Sequence, residues 1–286
     1  MGFDEVHRVR VGELPVAYRE AGEGEPLLLV HGWPLSSRTW RKVVPELAKS
    51  ARCIAIDLLG AGETLADTDR SHGLEAQGRL VGGFMDALGL ERATLIGHDS
   101  GGSVARCFAT ASPERVGRLV LADTEVPGHR PPFVLLLQGL SRLPGSSALL
   151  RSLFSSKALA RSPVGFGLCF ADLGRFDFDE FFEVLAASTA RSPEALRATR
   201  RFMLDFDFAD VDSARARYDR LAMPKLVIWG ERDRIFPLRV GRRLAEMLPD
   251  PKRFAAIGDA GLLVHEERPG AWVETIRSFL QETSAS

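Results

Sequence analysis

The sequence predicts an α/β protein built on one mostly parallel sheet with helices on both faces. Short apolar runs alternate with segments of helical spacing along most of the 286 residues, as in successive βαβ units. Several runs are continuously apolar, which is typical of strands buried on both faces of a parallel sheet. The alternation breaks between 126 and 220. We expect a helical cap there (126–220), inserted into a core formed by 1–125 and 221–286.

The individual elements follow in chain order. Two runs on either side of Gly12, VHRVRV and LPVAYRE, predict an opening antiparallel hairpin. Six further runs predict strands: PLLLV (26–30), CIAID (53–57), ATLIGH (93–98), RLVLAD (118–123), KLVIWG (225–230) and RFAAIG (253–258). Helical spacing predicts helices at 37–50, 74–89, 102–111, 238–248 and about 264–281. Sites in such sheets lie at the carboxyl ends of strands.

Composition and charge exclude several classes of function. The chain is 45% hydrophobic and 26% charged, with a formal net charge of −1, so it offers no basic footprint for nucleic acid or an anionic membrane. The longest apolar run, FVLLL at 133–137, is too short to span a bilayer, and no secretory signal is visible. Three widely spaced cysteines predict neither disulfides nor a zinc site. We expect a cytoplasmic protein with no cofactor or metal; a homodimer is left open.

The predicted cap is rich in phenylalanine. Eleven of the chain's 17 phenylalanines fall within 126–220. Aromatic residues at helical spacing usually pack against each other, and most of these are expected to do so. A few that face the sheet would suffice to line a water-poor cavity, so the expected ligand is a small apolar substrate.

The stretch GHDSGG at 97–102 carries the chemistry. A Gly-x-nucleophile-x-Gly turn between a strand and a helix is the frame of a nucleophile elbow. Gly97 and Gly101 are the small residues of that frame, and Asp99 holds the nucleophile position. A nucleophilic Ser100 would require a small residue at 98, where His98 stands, so the frame favours Asp99. The alternative role for Asp99 is a plain helix cap.

With HGWP (31–34), DLLGAGET (57–64) and WGERDRIFP (229–237), the elbow resembles the α/β-hydrolase superfamily over nearly the whole chain. Asp99 narrows the resemblance to the branch with aspartate nucleophiles: epoxide hydrolases, haloalkane dehalogenases and haloacetate dehalogenases. The resemblance implies an α/β-hydrolase fold in which Asp99 opens an epoxide or displaces a halide and becomes an alkyl ester. It also implies an oxyanion hole formed by the backbone N–H groups of Trp33 and Ser100.

Hydrolysis of that ester needs a base, normally a histidine oriented by an acid. The resemblance places the acid at Asp233, with Glu125 as a second candidate. The family's last motif, Gly-His, four residues and Glu-x-Pro, aligns with GLLVHEERP and puts Leu262 at the histidine position. His265 lies three residues further on, close to one helical turn. Either His265 or His129, at the start of the cap, could supply the base, and His265 could equally be a surface helix residue.

Markers of the individual activities are absent from the expected positions. Ser100 stands where haloalkane dehalogenases commonly carry a tryptophan, and Trp33 stands where they carry an asparagine. No arginine adjoins Asp99 as in haloacetate dehalogenases. Epoxide hydrolases use two cap tyrosines, whereas segment 126–220 contains one tyrosine, Tyr218. We predict a hydrolase of small apolar substrates acting through an Asp99 ester. The alternatives are a lyase, isomerase or cyclase that uses Asp99 as an acid or base, and a ligand-binding protein without turnover.

Overall fold

The sheet has eight strands and is mostly parallel, which confirms the predicted fold class. The computed structural model describes residues 3–65 and 70–284. The strands are β1 (His7–Val11), β2 (Leu14–Ala21), β3 (Pro26–Val30), β4 (Arg52–Ile56), β5 (Ala93–His98), β6 (Val116–Ala122), β7 (Lys225–Gly230) and β8 (Lys252–Ile257). Their spatial order is β1-β2-β4-β3-β5-β6-β7-β8, with β1 and β2 forming the antiparallel edge.

Helices cover both faces of this sheet. Outside segment 126–220 the α-helices are α1 (Val44–Leu47), α2 (Leu74–Ala87), α3 (Ser100–Ala111), α11 (Leu238–Met247), α12 (Val264–Glu267) and α13 (Pro269–Ser284). Between β6 and β7 they are α4 (Pro132–Arg142), α5 (Ser146–Ser155), α6 (Lys157–Arg161), α7 (Phe178–Phe181), α8 (Ala187–Thr189), α9 (Pro193–Asp205) and α10 (Phe208–Ala214).

The alternation of side chains along β3 explains how one sheet holds two cores. Leu27 and Leu29 point into a cluster that includes residues of α1 and α13. Leu28 and Val30 point to the opposite face, into a larger cluster with α2, α3 and segment 126–220. Successive side chains of a strand face opposite sides, so a run that is apolar at every position is buried on both.

The parallel register brings the sequence motifs to one edge. HGWP follows β3, Asp99 follows β5, the run 123–125 follows β6, and Asp233 lies just beyond β7. Carboxyl ends of neighbouring parallel strands meet on the same side of a sheet, where ligands bind in this architecture. The fold therefore assembles the candidate residues from four separate loops.

Two helix predictions were wrong, and proline is a reason in both. The helix expected at 37–50 is a 3₁₀ segment, Ser37–Lys42, followed by a single turn, α1. Pro45 lies at the start of α1, where it supplies no N–H for a helix continuing from the preceding turn. The helix expected at 264–281 is divided into α12 and α13. Arg268, at φ −134° and ψ 54°, leaves the helical region before Pro269, as residues before proline tend to do.

Segment 126–220, all of which is described, contains helices and turns but no strand. Its phenylalanines pack largely on one another, as expected: the ring centroids of Phe170 and Phe176 lie 4.5 Å apart, and those of Phe170 and Phe181 5.1 Å apart. The run FVLLL falls within α4. In the ranges 3–65 and 70–284, none of the helices has the length and apolar character required to cross a membrane.

Candidate active site

The elbow at Asp99 is as tight as its glycines predict. β5 ends at His98 and α3 begins at Ser100, so one residue makes the turn. Asp99 has φ 52° and ψ −134°, a conformation that costs a non-glycine residue energy and recurs at functional sites. A Cβ atom on Gly101 would lie 2.3 Å from the carbonyl oxygen of Val30. Only glycine lets α3 pack this closely against β3.

Asp99 does not act as a helix cap. It occupies the N-cap position of α3, yet its side chain makes no capping hydrogen bond. It keeps partial exposure and lines a cavity, whereas the neighbouring His98 and Ser100 are buried. The capping alternative raised by the sequence is therefore wrong, and the carboxyl group is directed at the space where a ligand would lie.

The two predicted oxyanion donors lie beside this carboxyl group. Hydrogen bonds from the backbone N–H groups of Ser100 and Trp33 favour the ionised form of Asp99. Gly32 makes the approach feasible, because a Cβ atom there would lie 2.4 Å from Oδ2 of Asp99. The N–H group of Trp33 also donates to the Ser100 hydroxyl at 2.9 Å. The Ser100 side chain thus contacts the predicted oxyanion donor.

The cavity above Asp99 is small and mostly apolar. Its volume is about 80 Å³. Its polar floor includes Asp99, Ser100 and Glu125. Segment 126–220 supplies much of its wall through the side chains of Phe133, Leu137, Phe154, Phe202, Met203 and Phe206. An apolar wall with a few polar groups at one end suits a small apolar ligand held by one reactive end.

Leu262 lines this cavity, but His265 does not. His265 is fully buried, its Nε2 is 2.8 Å from Oγ1 of Thr39, and its ring centroid lies 4.7 Å from that of Trp40. Residue 265 falls in the first turn of α12, which directs its ring into the packed interior. Burial lowers its pKa well below the usual range, so the imidazole stays neutral. Both sequence interpretations of His265, catalytic base and surface residue, disagree with this placement.

His129 is also not brought to the nucleophile. Its Nε2 is 3.5 Å from the carbonyl oxygen of Ile235, and it does not line the cavity. Among the histidines of the described chain, only His98 lines the cavity. Its Nε2–H donates to the carbonyl oxygen of Leu262 at 2.8 Å, and burial lowers its pKa to about 4. Neither His265 nor His129, the two histidines proposed as the base, lines the cavity, and the low pKa of His98 makes its imidazole a weak base.

Asp233 lies where the sequence predicts the acid, but none of the described histidines is hydrogen-bonded to it. It is buried, and its Oδ1 accepts hydrogen bonds from the backbone N–H groups of Ile235 (2.7 Å) and Phe236 (2.9 Å). Burial raises its pKa to about 7. Asp123, which the sequence analysis did not single out, is fully buried near it, and burial and Asp233 raise the pKa of Asp123 well above the usual range. A carboxylate directly after β6 was the available signal.

Glu125 is the second predicted acid, and it faces Asp99 from the next loop. Its Oε2 accepts hydrogen bonds from Ser103 Oγ at 2.7 Å and Thr124 Oγ1 at 3.2 Å. Arg106 donates to Ser103 Oγ at 2.8 Å and to the carbonyl oxygen of Glu125 at 2.5 Å. Ser103 and Arg106 were missed as supporting residues, although their spacing of three on α3 places them on one helix face.

The site is therefore a cluster of carboxyl groups, in which Asp99 is partly exposed and Asp123, Glu125 and Asp233 are buried. Burial first, then the charges of Glu125 and Asp233, raise the pKa of Asp99 well above its usual range. Burial also raises the pKa of Glu125. Like charges that share a site disfavour simultaneous ionisation, so the cluster retains a proton at a higher pH than isolated carboxyls do.

The interior position of His265 gives a testable expectation. We expect His265→Ala to lower the free energy of unfolding by about 2–4 kcal/mol, since it leaves a cavity and removes the contact with Thr39. Denaturant unfolding measures this loss. Turnover per folded molecule should be retained. A variant with unchanged stability and abolished turnover would instead identify His265 as the base.

The fold and this site agree with comparisons to known proteins. The family described as "alpha/beta hydrolase fold" matches residues 25–269. A 2-hydroxy-6-oxononadienedioate/2-hydroxy-6-oxononatrienedioate hydrolase of Paraburkholderia xenovorans (strain LB400) is 34% identical, over 82% of this chain and 79% of its own. A 2-hydroxymuconate semialdehyde hydrolase of Pseudomonas sp. (strain CF600) is 30% identical, over 93% and 90%. A solved ancestral haloalkane dehalogenase has a TM-score of 0.81 and 26% identity, over 98% and 100%.

The chain belongs to the alpha/beta hydrolase family. The two sequence relatives named above are hydrolases, and the chain is accordingly an enzyme of the hydrolase class. The bond that it cleaves is a separate question, because the named relatives act on different substrates.

Proposed function

We propose that this enzyme hydrolyses small apolar electrophiles, epoxides or haloalkanes, through a covalent ester on Asp99. The observation that carries the proposal is the uncapped carboxyl group of Asp99, directed from a strained elbow into an apolar cavity. Segment 126–220 would act as a cap that keeps water away from the nucleophile. Such exclusion of water strengthens every charge interaction within the site.

The first step would be attack of an Asp99 oxygen on an electrophilic carbon, with the leaving group departing from that carbon. The second would be attack of water on the Asp99 carbonyl carbon. The N–H groups of Ser100 and Trp33 would stabilise the oxyanion that forms there, because both favour the negatively charged form of Asp99. Collapse of that intermediate would release the alcohol and restore Asp99.

The substrates of the sequence relatives fit this cavity less well. A nonadienedioate carries two carboxylates, and a site for it would be expected to include arginine or lysine. Among the described residues that line the cavity there is neither. The charged lining residues are Asp99 and Glu125, which would repel an anionic substrate. We therefore assign this chain an uncharged substrate rather than those of its relatives.

Incubation with a panel of epoxides and bromoalkanes, followed by intact mass and peptide mapping, tests the proposal. We expect turnover, together with an alkyl adduct on the peptide containing Asp99, which fragmentation distinguishes from Ser100. A shifted melting temperature without turnover or adduct would support ligand binding alone. That outcome would contradict the proposal.

A second candidate function rests on the raised pKa of Asp99. A carboxyl group that holds its proton near neutral pH could act as a general acid in a lyase or isomerase. The two functions differ in their requirement for that proton, so pH separates them.

We expect the rate at which bromobutane labels Asp99 to rise with pH through the pKa of Asp99. Only the ionised carboxylate attacks carbon, and burial with Glu125 and Asp233 raises that pKa above the ordinary carboxyl range. As the solution is acidified, the labelling rate should therefore begin to fall at a pH above the usual range of carboxyl pKa values. Quench-flow labelling followed by mass spectrometry measures it. A general acid would give the reverse, activity that falls with rising pH and no adduct.

A further inference from the structure

We infer that Glu125 donates a proton to the leaving oxygen of an epoxide and then deprotonates the attacking water, which makes epoxides the substrate class. The inference rests on the Asp99 ester proposed above and adds a second catalytic residue to it. Glu125 would fill two roles, as the acid that protonates the opening ring and as the base that activates water for ester hydrolysis.

Position is the first argument. Glu125 and Asp99 both line the same small cavity, at the ends of the neighbouring strands β6 and β5. Ser103 and Thr124 hold Oε2 of Glu125, and Arg106 holds its carbonyl oxygen. These contacts hold the loop that carries Glu125 against α3, beside the nucleophile. Two carboxyl groups flanking a reacting carbon are a known solution to combined nucleophilic and acid–base catalysis.

Asp233 and the two tyrosines are placed less favourably than Glu125. Asp233 does not line the cavity, and its Oδ1 is occupied by two backbone N–H groups. Tyr218 is buried outside the cavity and Tyr18 lies in β2, so neither tyrosine could protonate a bound epoxide. Glu125 is the remaining carboxyl group that shares the cavity with Asp99.

The indole of Trp33 argues against a halide as the leaving group. Its Nε1–H, the donor that could bind a departing halide, donates instead to the carbonyl oxygen of Thr199 at 2.9 Å. A haloalkane would therefore leave its anion against an apolar wall and two carboxyl groups. An epoxide requires only one proton at its oxygen, which Glu125 can provide.

The proton and electron balance closes with these two residues. Ionised Asp99 forms an O–C bond to the epoxide carbon as that carbon's bond to the ring oxygen breaks, and the proton of Glu125 moves to the ring oxygen. Ionised Glu125 then takes a proton from water as the water oxygen bonds to the Asp99 carbonyl carbon. The ester C–O bond then breaks, and the substrate oxygen leaves as an alkoxide. This alkoxide takes the proton from the carboxyl group that has formed on Asp99. A diol leaves, with Asp99 ionised and Glu125 protonated as at the start.

The charges around Glu125 are compatible with this cycle. Arg106 from α3 favours its ionised form, while Asp99 from the elbow and Asp233 beyond β7 are negative neighbours within the same cluster. The cavity side chains of segment 126–220 are apolar and carry no charge. Burial raises the pKa of both Asp99 and Glu125, so the pair retains a proton, which the proposed cycle places on Glu125 when Asp99 attacks.

Glu125→Gln tests the inference with two probes, styrene oxide and bromobutane. Ring opening of styrene oxide should fall by about 10²- to 10⁴-fold, the usual range for loss of a general acid. Labelling of Asp99 by bromobutane should persist, because no proton is needed to expel bromide, and the adduct should accumulate because its hydrolysis lacks a base. Glu125→Asp should restore part of the ring opening. Unchanged styrene oxide turnover in Glu125→Gln would overturn the inference.

Two further measurements guard against a merely structural effect. Glu266 is a buried glutamate outside the cavity, paired with Arg41 at 2.5 Å, so Glu266→Gln is the matched control and should keep the styrene oxide rate. If Glu125→Gln does not fold, the wild-type pH profiles decide. Styrene oxide opening should decline at high pH, as the pair of Asp99 and Glu125 loses its last proton, while bromobutane labelling stays at its plateau. Parallel profiles would contradict the role of Glu125, whereas absence of any Asp99 adduct would contradict the proposed function itself.

Discussion

Replacing Asp99 with asparagine is expected to lower turnover by at least about 10⁴-fold, the scale typical of removing a catalytic nucleophile. An amide keeps the size of the side chain but cannot form the alkyl ester, so both bromobutane labelling and diol formation should disappear. Steady-state kinetics and intact mass measure the two losses. Appreciable turnover by this variant would show that the substrate is attacked by another group.

The same substitution should stabilise the fold near neutral pH. The pKa of Asp99 is higher in the folded chain than in the unfolded chain, because burial and the charges of Glu125 and Asp233 oppose its ionisation. Asp99 therefore loses its proton more readily in the unfolded chain. As pH rises above the pKa of Asp99 in the unfolded chain, this residue lowers the stability of the fold. Asp99→Asn removes that penalty. Its melting temperature should exceed that of the wild type near neutral pH, and the difference should shrink on acidification.

Leu262→His is expected to accelerate hydrolysis of the Asp99 ester by about tenfold or more, within the range that a positioned base provides. Leu262 lines the cavity, and no described imidazole is hydrogen-bonded to Asp233, a buried carboxyl group whose charge acts on Asp99. A histidine there could pair with Asp233 and activate water more effectively than a glutamate that must also serve as the acid. Introducing a polar ring at a buried site should cost some stability.

The adduct lifetime after bromobutane labelling measures this effect directly, because it isolates the water step. Leu262→Gln is the matched control, since it adds polarity at the same position without a usable base. We expect the histidine variant to lose its adduct faster and the glutamine variant to keep it. Equal lifetimes in the histidine variant and the wild type would argue that ester hydrolysis is not limited by a missing base.

Most of the fold follows from local patterns in the sequence. The strands PLLLV, ATLIGH and KLVIWG have the predicted bounds, and the boundaries of the other strands differ by one or two residues. Every residue of ATLIGH and KLVIWG is buried and most are apolar, which is typical of strands covered on both faces of a parallel sheet. The elbow could also be predicted, because the glycines of GHDSGG allow a tight turn between a strand and a helix. The sequence contains Pro45 and Pro269 within the helices predicted at 37–50 and 264–281. The helical spacing of apolar residues favoured continuous helices despite these prolines.

The environment of each side chain was not predictable in the same way. His265 lies only three residues from the expected histidine position, yet the start of α12 places it against Trp40 instead of Asp99. Which face a residue presents depends on where a short helix begins, and local spacing does not determine that. The link from Arg106 through Ser103 to Glu125 joins a helix to a loop, so it required the packed structure.

A single turnover of styrene oxide in water labelled with the heavy oxygen isotope tests the central claim most directly, because it reports which atom attacks the substrate. If Asp99 forms an ester, water attacks the Asp99 carbonyl carbon. The first diol should then take its new oxygen from the protein, and the label should appear in the peptide that contains Asp99. A labelled diol released from an enzyme whose Asp99 peptide remains unlabelled would contradict the ester.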